Sequence, residues 1–223
     1  MRPARVCLFT DSRDPSGMGV HMLTLAAGLQ ARYDLAVACP IDSGGRELLA
    51  RCREQGLATL AAPRQTDVGS LRDWLSAHAF DVFHAHAGIG WEGHAAIRAA
   101  RLAQVPAVIR TEHLPYVLDD ARQMREHAQL VPMVDRLIVV SDGVAASFLA
   151  AGVPAKKLRV VRNGIGPGRA RRSAWLRAAV RQRSGLPADA HLALTVARLS
   201  EQKAHATLLA AIPSVLTSRP DLR

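Results

Sequence analysis

The 223-residue chain has 49% hydrophobic and 22% charged residues, the composition of a folded globular protein and not of a disordered or collagen-like one. No apolar run approaches the roughly 18 residues of a membrane span, and the run after the first five residues is too short for a secretory leader, so a cytoplasmic protein is expected. The net charge of +10 is local: Lys156, Lys157, Arg159, Arg162, Arg169, Arg171, Arg172, Arg177, Arg181 and Arg183 lie between Asp142 and Asp189 with no acidic residue among them, and the rest of the chain is neutral.

In chain order, the first predicted element is a strand at 5–10, followed by a glycine-containing loop, Asp11 to Gly19, and a helix at 20–32. A strand at 35–39, a helix at 45–55 with Asp42 or Ser43 as N-cap and Gly56 as stop, and a strand at 57–61 come next. Then follow a helix at 68–77, a strand at 82–85, a helix at 92–103, a strand at 107–110, a helix at 119–134 and a strand at 137–140. A helix at 143–151, capped by Ser141 and stopped by Gly152, leads to a seventh strand at 158–161. Short β-type runs alternating with Ala/Leu-rich helical patterns predict an α/β fold, a doubly wound, Rossmann-like parallel sheet with helices on both faces.

Asn163-Gly164 is a turn signal, and the Gly/Pro/Arg segment after it lacks core periodicity. A first domain is therefore assigned to 1–165 and a basic linker with an amphipathic helix at 173–184 to 166–189. Residues 190–223 are assigned to the start of a second, incomplete Rossmann-like domain, with a buried strand at 192–197 and a helix at 205–216. Cys7, Cys39 and Cys52 are odd in number and form no C-x-x-C pair, which points to reduced packing residues and not to a disulfide framework or zinc knuckle.

Several short segments carry chemistry. Gly17 and Gly19 stand between a predicted strand and helix, where backbone N–H groups can approach a phosphate, but Met22 occupies the third glycine position of G-x-G-x-x-G. A structural turn explains them equally well. His84 and His86 share one face of a strand that ends at the ligand-binding edge of the sheet. They could form a metal pair, yet no carboxylate or cysteine set completes a ligand shell, so no metal is expected and cleft lining or packing is the better reading. His113 follows the fifth strand and could donate to a sugar hydroxyl or simply occupy a loop. Arg198 and Lys203 are placed just past a strand and at a helix start, where paired cations call for an anion such as a diphosphate or remain solvated. The basic window has little aromatic content beyond Trp175, which disfavours nucleic acid. Its helix fits an anionic membrane surface or a solvated linker.

Taken in order, GMGVHMLTLAAGL from Gly17, DVFHAH, VPAVIRTEH ending at His113, DRLIVVSDGV, VVRNGIG with Asn163, and VARLSEQKAHATLLAAI resemble glycosyltransferase family 4. These are retaining, sugar-nucleotide-dependent enzymes of the GT-B fold, which pairs two Rossmann domains. The resemblance implies transfer of a sugar from a nucleotide-diphosphate donor to a glycan, lipid or small-molecule acceptor, with no required metal or other cofactor. It places Gly17, Gly19, Arg198 and Lys203 against the donor phosphates, His113 against the donor sugar near the reacting carbon, and His86 and Asn163 along the cleft. Ala197 and Ala204 stand where the family has Gly, Gly166 replaces a common acidic residue, and Gly17-Met18-Gly19 replaces adjacent glycines. The family's Glu-x7-Glu pair is not reached by Arg223. The expectation is therefore the acceptor-side domain and the first part of the donor-side domain, inactive alone. A GT-B nucleotide-sugar epimerase and a non-catalytic acceptor- or partner-binding module are the alternatives.

Overall fold

The computed structural model describes residues 2–13, 16–41, 43–63, 67–88, 90–165 and 173–223. The chain forms two compact units, Met1–Gly166 and Pro167–Arg223.

The first unit alternates strand and helix without exception: β1 (Arg5–Phe9), α1 (Ser16–Leu29), β2 (Asp34–Pro40), α2 (Ser43–Glu54), β3 (Ala58–Ala62), α3 (Val68–His78), β4 (Val82–Ala87), α4 (His94–Leu102), β5 (Ala107–Glu112), α5 (Ala121–Leu130), β6 (Arg136–Val139), α6 (Asp142–Ala150) and β7 (Leu158–Val160). All seven expected strands are present in one sheet of order β3-β2-β1-β4-β5-β6-β7, and every pairing is parallel. This is the doubly wound arrangement, and its order reverses between β1 and β4, where such sheets open a crevice at their carboxyl edge.

Strand side chains alternate between two cores. Val6, Leu8, Val37 and Cys39 face α1 and α2 through Met18, Met22, Leu23, Leu48 and Cys52. Cys7, Phe9, Phe83, Ala85, Val108 and Leu137 face α3 to α6 through Leu71, Leu75, Ile97, Leu130 and Phe148. The three cysteines are buried and form no disulfide among the described residues, as expected of packing residues.

Local chemistry sets the helix ends. Ser141 accepts from the Val144 N–H at 3.2 Å as the expected N-cap, and Asp67 and Asp120 cap α3 and α5 in the same way. Gly56 (φ 71°) and Gly152 (φ 84°) take the left-handed conformation that stops α2 and α6. Ser43 lies within α2, and Asp42 is outside the described residues. The single helix expected at 119–134 is α5 followed by a 3₁₀ turn, Val131–Met133. Pro132 supplies no N–H and so breaks the α-helical ladder there. At the β2–α2 junction a Cβ on Gly45 would run into the Pro40 carbonyl oxygen. Gly45→Ala is expected to lower the unfolding free energy by about 1–3 kcal/mol, read from urea denaturation; an unchanged midpoint would contradict this packing.

The second unit contains α7 (Ala174–Arg183), capped by the Ser173 hydroxyl, and α8 (His205–Ser218). The strand expected at 192–197 does not form: Leu194 and Val196 are 84% and 86% exposed, and the nearest sheet-like feature is an isolated bridge between His191 and Leu222. A parallel strand needs a neighbouring strand and cover on both faces, and the described residues of this unit supply neither. The amphipathic helix expected at 173–184 does form, with Trp175, Leu176 and Val180 exposed. Its cationic face is smaller than the sequence implied, because Arg181 is buried and donates to the Pro187 and Ala190 carbonyls. Arg169, Arg171 and Arg172 lie outside the described residues.

Candidate functional site

Beside the strand-order reversal, where sheets of this kind bind ligands, the structure gathers imidazoles from three parts of the chain. His84 and His86 project from β4 on the side facing α1, and the rings stack with centroids 4.3 Å apart. In the β4–β5 register His84 lies opposite Ile109 and His86 opposite Thr111, and each histidine reaches two residues further along β5. His84 Nε2 lies 2.7 Å from Thr111 Oγ1, and His86 Nδ1 lies 3.2 Å from His113 Nε2. His113 directly follows β5, as the sequence predicts, and its N–H donates to the Ala87 carbonyl at 2.9 Å, which ties its backbone to the end of β4. His21, on α1, completes the group with its ring centroid 4.8 Å from that of His113 and 5.6 Å from that of His86.

Burial governs the protonation of these rings. It lowers the pKa of His84 to about 3 and that of His113 to about 4, holds His86 well below the ordinary value of 6.5 and lowers His21, with charge on neighbouring imidazoles adding to burial at His84, His86 and His113. At neutral pH the site is a set of uncharged imidazoles, able to offer an N–H or a lone pair but not a positive charge.

The opposite face of the same strands holds a buried ionic network. Arg110 is 0% exposed, and its Nε lies 2.5 Å from Glu112 Oε1, two residues along the same face of β5. Its remaining N–H groups donate to the Gly90 carbonyl at 2.9 Å and to the Glu92 carbonyl. Burial alone would raise the Glu112 pKa, but the Arg110 charge and the contact with His127 outweigh it and hold it below the usual value. Asp11, at the end of β1, accepts from the Gly93 N–H through both oxygens, at 2.8 and 2.9 Å, and burial pushes its carboxyl up to about 6. Gly93 has φ 75° and begins α4, so the β4–α4 loop is clamped by Asp11 at its end and by Arg110 through two carbonyls. Neither residue was singled out from the sequence. The Arg110-x-Glu112 spacing on a buried strand is the signal that could have found this pair.

The other expected site residues are distributed as follows. Gly17 and Gly19 lie in the first turn of α1 and not in a loop before it, because the helix begins at Ser16. Asp14 and Pro15 of the expected loop lie outside the described residues. Gly17 is exposed with open space beside it, one helical turn before His21 on the same face. Asn163 and Gly164 are exposed after β7, a strand two places from β5 in the sheet, hence ~10 Å away at the usual strand spacing. The sheet therefore does not bring Asn163 to the histidines. Arg198 and Lys203 belong to the second unit. The His205 Nε2–H donates to the Arg198 carbonyl at 2.8 Å, and Lys203 ends a 3₁₀ turn, Glu201–Lys203, before α8. Ala204, where the resemblance calls for glycine, has φ 50° and ψ 38°, a left-handed conformation costly for a residue with a Cβ. Ala204→Gly is therefore expected to stabilise the second unit by about 1 kcal/mol, seen as slower amide exchange at the start of α8; faster exchange would contradict it.

Residues 15–169 match the model of Glycosyltransferase Family 4. The chain belongs to that family. Over 225 aligned residues it is 30% identical to the D-inositol 3-phosphate glycosyltransferase of Streptomyces scabiei, covering 95% of this chain and 47% of that protein. The chain thus spans about half the length of this relative. Among solved structures, Anabaena Alr3699/HepE in complex with UDP superposes with a TM-score of 0.76 at 17% identity, over 94% of this chain and 57% of that one. A putative UDP-N-acetylglucosamine 2-epimerase from Listeria monocytogenes gives 0.63 at 13% identity, over 99% and 61%. These likenesses establish the GT-B type of Rossmann-like fold in this family member.

Proposed function

We propose that this glycosyltransferase family member serves transfer of a sugar, with retention, from a nucleotide-diphosphate donor to a glycan, lipid or small-molecule acceptor. The observation that carries the reading is His113, tied to the end of β4 beside the strand-order reversal of a sheet that matches the family along most of its length. An imidazole with a pKa of about 4 is neutral at pH 7, so His113 acts as a fixed hydrogen-bonding group for a sugar hydroxyl and not as a proton donor. The start of α1, with Gly17 exposed one turn from His21, offers N–H groups and a positive helix end to a donor phosphate. Arg198 and Lys203 are assigned to neutralising the departing diphosphate, and His86 to lining the cleft. Asn163 is a weaker candidate, since β7 stands apart from β5. No cation is assigned to the transfer step. The location proposed is the cytoplasm, and α7, with Trp175 outward, is assigned to peripheral contact with an anionic membrane. Nucleic acid is not assigned as a partner.

Anabaena Alr3699/HepE is seen in complex with UDP and with UDP-glucose, which supports a uridine-diphosphate sugar as the first donor to test. Because the 223 residues span 47% of the relative's length, we assign the remaining nucleotide contacts to residues outside them, and expect the chain alone to bind donor weakly and to transfer no sugar. The test is a transfer assay with labelled nucleotide sugars, on the 223-residue chain and on the longest natural polypeptide that contains it. His113→Ala in the active form is expected to lower kcat about 100-fold or more. Full activity in that variant would remove His113 from the site, and turnover by the 223 residues alone would overturn the division of labour. Free nucleotide and an epimerised sugar without acceptor glycosylation would favour the epimerase reading. Acceptor binding with neither product would favour a non-catalytic binding module.

A further inference from the structure

We propose that His21, His86 and His113 together form a binding site for one divalent transition-metal ion of the zinc class. One ring nitrogen from each residue lies within 4.8 Å of those of the other two, and the closest recorded approach, between His86 and His113, is 3.2 Å. A tetrahedral zinc ion with Zn–N bonds of about 2.0–2.1 Å sets its ligand nitrogens about 3.3–3.4 Å apart. The β-strand pair therefore already has the required spacing, and the set closes by a side-chain adjustment on the order of 1 Å at His21. His21 is half-buried on a helix, so it is the member able to make that movement.

The second observation is an unmet nitrogen. His86 is 0% exposed; its Nδ1 meets His113, whereas its Nε2 is buried without a hydrogen-bond partner. A neutral imidazole carries one N–H and one lone pair, and when the His86 N–H sits on Nε2 and the His113 N–H on Nδ1, the His86 Nδ1 and His113 Nε2 lone pairs face each other across 3.2 Å with no proton between them. A cation is the partner such a pair of lone pairs accepts. Three imidazoles and no carboxylate select zinc, copper, nickel or cobalt over magnesium or calcium, which require oxygen ligands. Three protein ligands also leave a fourth position open. On the glycosyltransferase reading this is the position beside His113 assigned to the donor sugar, so the ion acts there as an inhibitor and not as a cofactor.

The site is tested by binding alone, so its failure and that of the transfer reading are separable. Metal-stripped protein is titrated with Zn²⁺ against a chromophoric chelator and with Co²⁺ by visible absorption. The expected result is one tight equivalent of Zn²⁺, an intense four- or five-coordinate Co²⁺ spectrum, and no competition from excess Mg²⁺. His21→Gln and His113→Gln are each expected to weaken binding by at least about tenfold, whereas His205→Gln, at the start of α8, leaves it unchanged. Should His113→Gln fail to fold by circular dichroism, His21→Gln decides the matter, since that residue lies at the helix surface. Wild-type affinity in His21→Gln, or a weak octahedral Co²⁺ spectrum, overturns the proposal.

Discussion

Arg110→Met is expected to destabilise the first unit by about 3–5 kcal/mol at pH 7, a large share of the roughly 5–15 kcal/mol of an ordinary domain. The guanidinium is fully buried between Glu112 and the carbonyls of Gly90 and Glu92. Methionine fills much of its volume but leaves the Glu112 carboxylate, 2% exposed, with no guanidinium partner and two loop carbonyls without these donors. The cost comes chiefly from that stranded charge and not from the worth of the intact pair. Arg110→Met combined with Glu112→Gln should accordingly recover part of the loss, although each change removes a hydrogen-bonding group. Arg110→Lys should fall between wild type and methionine, because an ammonium has no planar fork to serve three acceptors. Urea unfolding of the three variants is the measurement; a double variant no more stable than Arg110→Met would show that the charge is not the main term. Amide exchange at Gly93 gives a second readout. It should stay slow in all three if Asp11 alone holds the loop, and accelerate if Arg110 shares the task.

The contrast between what the sequence revealed and what it concealed follows from the range of the interactions concerned. Each strand of the sheet was visible because β-branched and apolar runs such as Arg136–Val139 alternate with helical patterns, and Gly56, Ser141 and Gly152 act within a few residues of themselves. The start of α1 was misplaced because Gly17 and Gly19 read as loop residues, whereas the helix passes through both. Residues 192–197 have the apolar character of a strand, but a strand is completed by its neighbours, and that condition is not written in the segment itself. His86 and His113 were recognisable from their positions at strand ends. His21 was hidden inside a helical motif, and its proximity to the other two depends on how α1 packs over β4. Arg110 was hidden for a related reason: an arginine in a strand reads as an outward residue until both sheet faces are seen to be covered.

Acid should unfold this protein well above the range in which carboxylates titrate. His84 is held at a pKa of about 3, and His94 and His113 at about 4, with burial the leading cause for each; charge on His21 and His113 adds to it at His84, the Arg110 guanidinium and His127 at His94, and His21 at His113. In the unfolded chain these rings take up protons near pH 6.5. Above that value both states are neutral and the rings contribute nothing to the pH dependence. As pH falls below it, the unfolded state gains protons that the folded state refuses, and stability drops by up to about 1.4 kcal/mol per histidine per pH unit until the folded pKa is reached. His86 and His21 act in the same direction. Asp11 opposes them: its carboxyl, raised to about 6, is protonated in the folded state while the unfolded carboxylate stays charged down to about pH 4. It therefore returns stability as pH falls through that interval, but one such group does not offset three histidines. The net loss between pH 7 and pH 5 is on the order of 4 kcal/mol, within reach of the whole stability of a marginal domain. Urea unfolding followed by circular dichroism at pH 8, 7, 6 and 5, with a chelator present to keep the imidazoles metal-free, gives the slope directly. His113→Gln should flatten that slope by close to one proton below pH 6.5. A stability that is level from pH 7 to 5 would mean that the rings take up protons in place, and that the site admits more water and counter-charge than its burial implies.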